Sequence, residues 1–175
     1  MMTTDVGMRT SFARRLVRAG LIGGLYAVFT VLPPFSSMSY GPIQVRVSEA
    51  LTVLPYFTID AVYGLWLGCV VANLASPFLI WDITLGAGAT LLAGYLTHLV
   101  SRTGKSYLAP LPPVLVNATV VSFYVARLSG LPYLPVAANI ALGEAIACYL
   151  IGYPVLAFVA RNPFLRRFLG GNVPE

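Results

Sequence analysis

Hydrophobic positions in this chain fall into long runs, broken by short stretches rich in proline, glycine and small polar residues. The runs cover about 16–32, 45–59, 61–75, 78–100, 114–128 and 136–160. The breaks are PPFSSMSYGPIQ at 33–44, Ser76–Pro77, SRTGKSYLAPLPP at 101–113 and SGLPYLP at 129–135. A membrane-crossing helix needs about 20 predominantly apolar residues, so the pattern predicts six spans. The second run is the weakest of them, being short, charged and interrupted by Pro55. The break at 101–113 is the clearest loop. After the sixth run the tail RNPFLRRFLGGNVPE is basic and amphipathic.

Composition narrows the class. Of 175 residues, 58% are hydrophobic and 10% charged, against roughly 25% charged in ordinary soluble domains. So few charges cannot clothe a soluble surface, which excludes a soluble enzyme, a disordered chain and a disulfide scaffold. The expected fold is an all-α integral membrane protein, one compact bundle of six transmembrane helices without a second domain. Arg9, Arg14, Arg15 and Arg18 precede the first run as in a signal peptide. No Ala-x-Ala site follows and more apolar runs do, so the segment reads as a retained anchor.

Charge orients the bundle. Lysine and arginine accumulate in cytoplasmic loops. With the N-terminus inside, six spans place Arg9, Arg14, Arg15, Arg18, Arg102, Lys105, Arg161, Arg166 and Arg167 on the cytoplasmic side, nine of the eleven basic residues. Five or seven spans would put the arginine-bearing tail outside. Both termini are therefore expected to be cytoplasmic. The net charge of +5 is not a nucleic-acid footprint, because the basic residues sit at the ends of apolar runs rather than in a stripe among aromatics.

Small residues recur at four-residue spacing, which lets helices approach closely in lipid. The sets are Ala19, Gly23 and Ala27; Gly64, Gly68 and Ala72; and Gly86, Thr90 and Gly94. For the second and third sets the reading is packing inside the bundle. For the first, a docking face for another membrane protein stands beside it.

An ionised side chain at a helix centre costs roughly 2.5–3.5 kcal/mol on insertion scales. This chain nevertheless carries Gln44, Arg46, Glu49, Asn73, Asp82, Asn117, Arg127 and Glu144 within or beside its apolar runs. So many polar groups in so small a bundle are expected to converge on a shared cavity. Arg46 and Glu49 share a helix face and could simply neutralise each other. Glu49 and Glu144 would repel unless Arg46 or a cationic or N–H-rich ligand came between them. Asp82 falls at an outer helix end, where capping or interfacial solvation is an equal alternative. For Asn117 bridging helices is an equal alternative, Arg127 reads as snorkelling to the outer interface, and Asp60 is expected in an inner loop.

Other chemistry is poorly supported. Gly104-Lys105-Ser106 resembles the end of a phosphate-binding loop, but Leu99 stands where the first glycine belongs. The Asn117-Ala118-Thr119 sequon lies at membrane depth. Cys69 and Cys148 read as small buried hydrophobes with no zinc spacing. His98, the only histidine, reads as an interfacial residue, so neither a histidine triad nor a metal cluster is expected. An intramembrane lipid-modifying enzyme would need a nucleophile–base pair or metal carboxylates, and neither DxxxD nor HExxH occurs. A structural subunit without a ligand is the remaining alternative; it would tolerate loss of Glu49, Asn117 or Glu144.

The run YGPIQVRVSEALTVLP at 40–55 resembles the signature of the QueT family. Weaker matches are GLWLGCVVAN at 64–73, DITLGAGATLL at 82–92, PPVLVN at 112–117 and ALGE at 141–144. The resemblance covers about residues 16–158. It implies a substrate-binding (S) component of an energy-coupling factor (ECF) transporter in a prokaryotic cytoplasmic membrane. It implies partners: a transmembrane coupling subunit and two cytosolic ATPases, with no cofactor of its own. It also implies a ligand, a queuosine precursor such as queuine or another 7-deazaguanine base; another flat heteroaromatic vitamin or nucleobase is the alternative. On this reading Glu49 or Glu144 accepts from the N–H donors of the base edge, and Gln44, Asn117 or Arg46 donates to its carbonyl. Asn73 and Asp82 complete the expected site. Tyr40, Trp81 or Tyr124 could stack on the ring, and the segment 33–44 is long enough to cover it. The face of Ala19, Gly23 and Ala27 would slide against the coupling subunit, with Gly23 standing where the family pattern has alanine.

Overall fold

Apolar segments in lipid must satisfy their backbone groups internally, and helices do so within a single segment. The computed structural model describes residues 3–32 and 45–170, and among these every element is helical. In chain order they are α1 (Thr3–Val31), α2 (Val47–Tyr56), α3 (Ile59–Ala75), α4 (Leu79–Thr103), α5 (Ser106–Ser129), α6 (Tyr133–Arg161) and α7 (Pro163–Leu169). The helices α4, α5 and α6, of 25, 24 and 29 residues, are long and apolar enough to cross a membrane, while α3 is a shorter apolar helix.

The boundaries follow local chemistry. The chain leaves α1 just before Pro33–Pro34, which disfavours helix in the preceding residue. Thr58 caps α3, its hydroxyl accepting from the Asp60 amide at 3.3 Å. Gly104 and Gly130 take left-handed conformations, φ +70° and +67°, directly after α4 and α5. Asn162 turns the chain from α6 into α7, its Oδ1 accepting from the Phe164 and Leu165 amides.

The stretch 101–113 is a loop only in part: regular α-helix stops at Val100 and resumes at Leu111, with single 3-10 turns at Ser101–Thr103 and Ser106–Leu108 on either side of Gly104 and Lys105. Its prolines sit in the opening turns of α5, where a missing N–H costs nothing. The first helix begins at Thr3, ahead of the apolar run at 16–32, so α1 carries its arginines as helical residues.

The short α2 is the axis of one core. It is wound as a 3-10 helix, and Ser48 through Tyr56 are all buried. Around it pack Ile22 and Tyr26 of α1, Leu65 and Cys69 of α3, Leu156 and Val159 of α6, and Leu169 of α7. A second core joins Ala89 and Ala93 of α4 to Val116 and Tyr124 of α5 and Ile140 of α6.

The seam between α1 and α3 is the closest helix contact. A Cβ built on Gly23 would lie 2.6 Å from the Gly64 carbonyl oxygen, and one on Gly64 would lie 2.5 Å from that of Ala19. The face holding Ala19 and Gly23 is thus engaged inside the chain, with Ala27 half-buried beside it. Gly20 and Gly24, on the other side of α1, have nothing within 4 Å of a built Cβ.

One end of the bundle gathers several distant segments. Asp60 lies not in a loop but in the first turn of α3, buried, where Arg15 Nε and Arg18 Nη1 of α1 pair with it at 2.8 and 3.3 Å. Gly170, after α7, lies against the Arg18 guanidinium. His98 of α4 meets the Pro55 carbonyl at 2.9 Å.

Candidate functional site

Helices α2, α4, α5 and α6 meet around a small enclosed hollow. Its polar lining is Arg46, Glu49, Thr90, Asn117 and Glu144, with Gly86 leaving room at one wall. The hollow measures about 10 Å³, space for one water. A second hollow of about 70 Å³ is lined by Arg46, Ser76, Phe78, Asp82 and Val121. Arg46 and Val121 line both, so they form the partition between them.

Helix irregularity places these side chains. Wider π turns interrupt α4 at Asp82–Gly86, α5 at Asn117–Val121 and α6 at Ile146–Gly152. Such turns recur at functional sites, and here Asp82 and Asn117 each open one. In α6 the turn also answers to Pro154, which has no N–H for the regular ladder. The cramped approach of α6 to α2 comes from Gly152, whose built Cβ would stand 2.9 Å from the Ala50 carbonyl oxygen.

The two glutamates are held differently. On Glu144, Oε1 accepts from Asn117 Nδ2 at 2.9 Å, and the Cys148 thiol lies 3.7 Å from Oε2. On Glu49, Oε1 accepts from the Tyr26 hydroxyl, whereas Oε2 is buried and has no hydrogen-bond partner among the described residues. An unsatisfied buried acceptor costs about 1–3 kcal/mol, more when charged. The backbone around Glu49 is pinned as well: its carbonyl accepts from Thr52 Oγ1 at 2.5 Å and lies 3.5 Å from Cys148 Sγ.

Asp82 and Asn73 form a neighbouring network. Asp82 is buried, 3% exposed, not solvated at a helix end. Tyr124 and Ser76 both donate to its carboxylate. Asn73 Nδ2 donates to the Asp82 carbonyl at 3.0 Å, tying α3 to α4, and its buried Oδ1 has no partner among the described residues.

Among the residues singled out from sequence, the structure therefore brings Arg46, Glu49, Asn117 and Glu144 to one hollow, and Asp82 to the adjoining one. Asn73 stands behind Asp82. Gln44, Tyr40 and the covering segment 33–44 lie outside the described residues. Arg127 is exposed near the end of α5, on a separate cleft with Phe123 and Tyr133. Neither expected stacking aromatic among the described residues lines the first hollow: Trp81 is exposed, and Tyr124 gives its hydroxyl to Asp82. Sequence reasoning missed Tyr26, Thr52 and Cys148. The only available signal was a hydrogen-bonding side chain in an otherwise apolar helix, too common to single them out. Cys69 is buried as expected, but it also lies 3.3 Å from both Thr90 Oγ1 and Asn73 Nδ2.

The family model described as QueT transporter matches residues 16–161. A Lactococcus lactis subsp. cremoris (strain MG1363) protein named Queuosine precursor transporter QueT is 34% identical over 85 residues, 49% of this chain and 50% of that relative. The match thus spans about half the length of the relative. No solved structure matches the chain.

Proposed function

The chain belongs to the QueT transporter family, and from that premise we propose that it is the membrane-embedded S component of an ECF-type importer, capturing a 7-deazaguanine queuosine precursor. The observation that carries the reading is the gathering of Arg46, Glu49, Asn117 and Glu144 around one hollow among apolar helices, with a Glu49 oxygen that has no donor among the described residues. The name of the Lactococcus relative supports the ligand class.

The chemistry is complementary. The guanine-like edge offers adjacent N–H donors beside a carbonyl oxygen. Glu49 Oε2 takes one of those donors, and the Arg46 guanidinium donates to the carbonyl. The closed hollow admits one water, and a fused bicyclic base is several times larger. Binding therefore requires the Arg46–Val121 partition to move, merging the two hollows into one chamber from Asp82 to Glu144. ATP hydrolysis belongs to cytosolic partner subunits, reached through a transmembrane coupling subunit. Since Ala19 and Gly23 are engaged with α3, the small residues that α1 offers to that subunit are Gly20 and Gly24.

The direct test is a thermal-shift panel on detergent-solubilised protein with queuine, cyano- and aminomethyl-7-deazaguanine, guanine, riboflavin and thiamine. A cognate ligand at 100 times its Kd stabilises by about 2.7 kcal/mol. A response to riboflavin or thiamine with none to any deazaguanine overturns the ligand; no response to the whole panel counts against a base-binding site.

A further inference from the structure

The ion-paired end of the bundle holds a feature that solute capture does not use. A cleft of about 270 Å³ lies between the N-terminal half of α1 and the start of α3, lined by Ser11, Arg14, Arg15, Arg18, Thr58 and Asp60. Three guanidiniums thus face one carboxylate. That carboxylate is fully engaged, one oxygen with Arg15 and the other with Arg18. Asp60 also occupies the first turn of α3, where an acidic side chain offsets the helix dipole. Arg14 has no carboxylate partner among the described residues, and it repels Arg18 one turn away. The cleft therefore carries an excess of about two positive charges and unused N–H forks, the recognition chemistry of a phosphate group.

The surroundings fix the depth. On the same helix Phe12, Leu16 and Val17 are exposed apolar side chains. On α3, Tyr63 is half exposed and stands one turn after Asp60, the partner of Arg15. Exposed apolar residues and a tyrosine beside an arginine cluster mark the level where acyl chains give way to headgroups. Basic pockets between helices at this level bind anionic headgroups.

We propose that this cleft binds the phosphodiester headgroup of an anionic phospholipid in the adjoining leaflet. Arg14 supplies the main contact, and Arg15 and Arg18 lend the N–H groups that Asp60 leaves unused. The site is independent of which solute the protein carries.

The test is a native mass-spectrometry titration of full-length protein in neutral detergent with phosphatidylglycerol and, separately, phosphatidylcholine. Thermal shifts with inorganic phosphate run in parallel. Phosphatidylglycerol is expected to bind about tenfold more tightly than phosphatidylcholine, the worth of one charge-assisted contact. Arg14→Gln removes that preference without touching the Asp60 pairs, and Arg161→Gln, an equal loss of charge outside the cleft, keeps it. Equal affinity for the two lipids, an unchanged preference in Arg14→Gln, or an equal loss in both variants overturns the proposal. So does stabilisation by inorganic phosphate matching that by phosphatidylglycerol at equal concentration, which would make the cleft a soluble-anion site.

Discussion

Among the described residues a single side-chain donor, the Tyr26 hydroxyl, holds Glu49, and that dependence is open to measurement. Tyr26→Phe keeps the ring in the core and deletes only the hydroxyl that Glu49 Oε1 accepts. Leaving that oxygen unsatisfied is expected to lower stability by about 1–3 kcal/mol, read as a drop in Tm of detergent-solubilised protein; an unchanged Tm removes Tyr26 from the site. Glu49→Gln tests the ligand side. Exchanging a charged acceptor for a neutral amide is expected to weaken deazaguanine binding at least about tenfold, with normal membrane insertion. The structural-subunit reading instead expects every measured activity of Glu49→Gln to stay intact. Sequence exposed one half of this arrangement and hid the other. Arg46, Glu49 and Glu144 announce themselves because a charge in an apolar run is expensive and needs a reason. Tyr26, Thr52 and Cys148 do not, because a tyrosine, threonine or cysteine in a membrane helix is ordinary and gains meaning only from what it touches.

At the scale of helices, four small residues of α1 sort into two pairs with opposite expected behaviour. Gly23→Ala places a methyl against the Gly64 carbonyl oxygen, a backbone atom that cannot yield without moving α3. The expected cost is that of overpacking, about 1–3 kcal/mol. Gly24→Ala meets open space and replaces a poor helix former with the best one, so it is expected to be neutral or stabilising by up to about 1 kcal/mol. Thermal unfolding of the two variants side by side measures the contrast, and equal Tm values would show that α1 and α3 do not meet along this seam. The four-residue spacing was legible in the sequence, including the face of Ala19, Gly23 and Ala27. Which side of α1 turns inward was not, because glycines occupy both sides. The windings of α2 and of the π turns were hidden for a related reason: hydrophobic pattern reports burial, and these segments are buried whichever helix they form. At 101–113 the prolines hid a boundary: Pro112 and Pro113 belong to the first turn of the α-helix that starts at Leu111, while the residues before them form only short turns.

The whole molecule carries a polarity that its internal pairings support. The Arg15 and Arg18 pairs with Asp60, the approach of Gly170 to Arg18, and the contact of His98 with Pro55 draw four segments together: the middle of α1, the α2–α3 junction, the end of α4 and the C-terminal α7. An odd number of crossings would send the two termini to opposite faces, so the nearness of α1 and residue 170 favours an even number. Six crossings with both termini cytoplasmic are the arrangement we propose, and the arginine distribution supports it, since Lys and Arg are retained inside. Single cysteines test the orientation directly, because Cys69 and Cys148 are buried. Leu131→Cys, at the exposed turn between α5 and α6, is expected to react with an impermeant maleimide on intact cells. Thr103→Cys, at the exposed end of α4, is expected to react only after permeabilisation. The reverse pattern would invert the bundle and turn the Arg46 side, with the hollows it divides, toward the cytoplasm. A capture site must meet its solute before transport, so that outcome would remove the importer reading even if the base still bound.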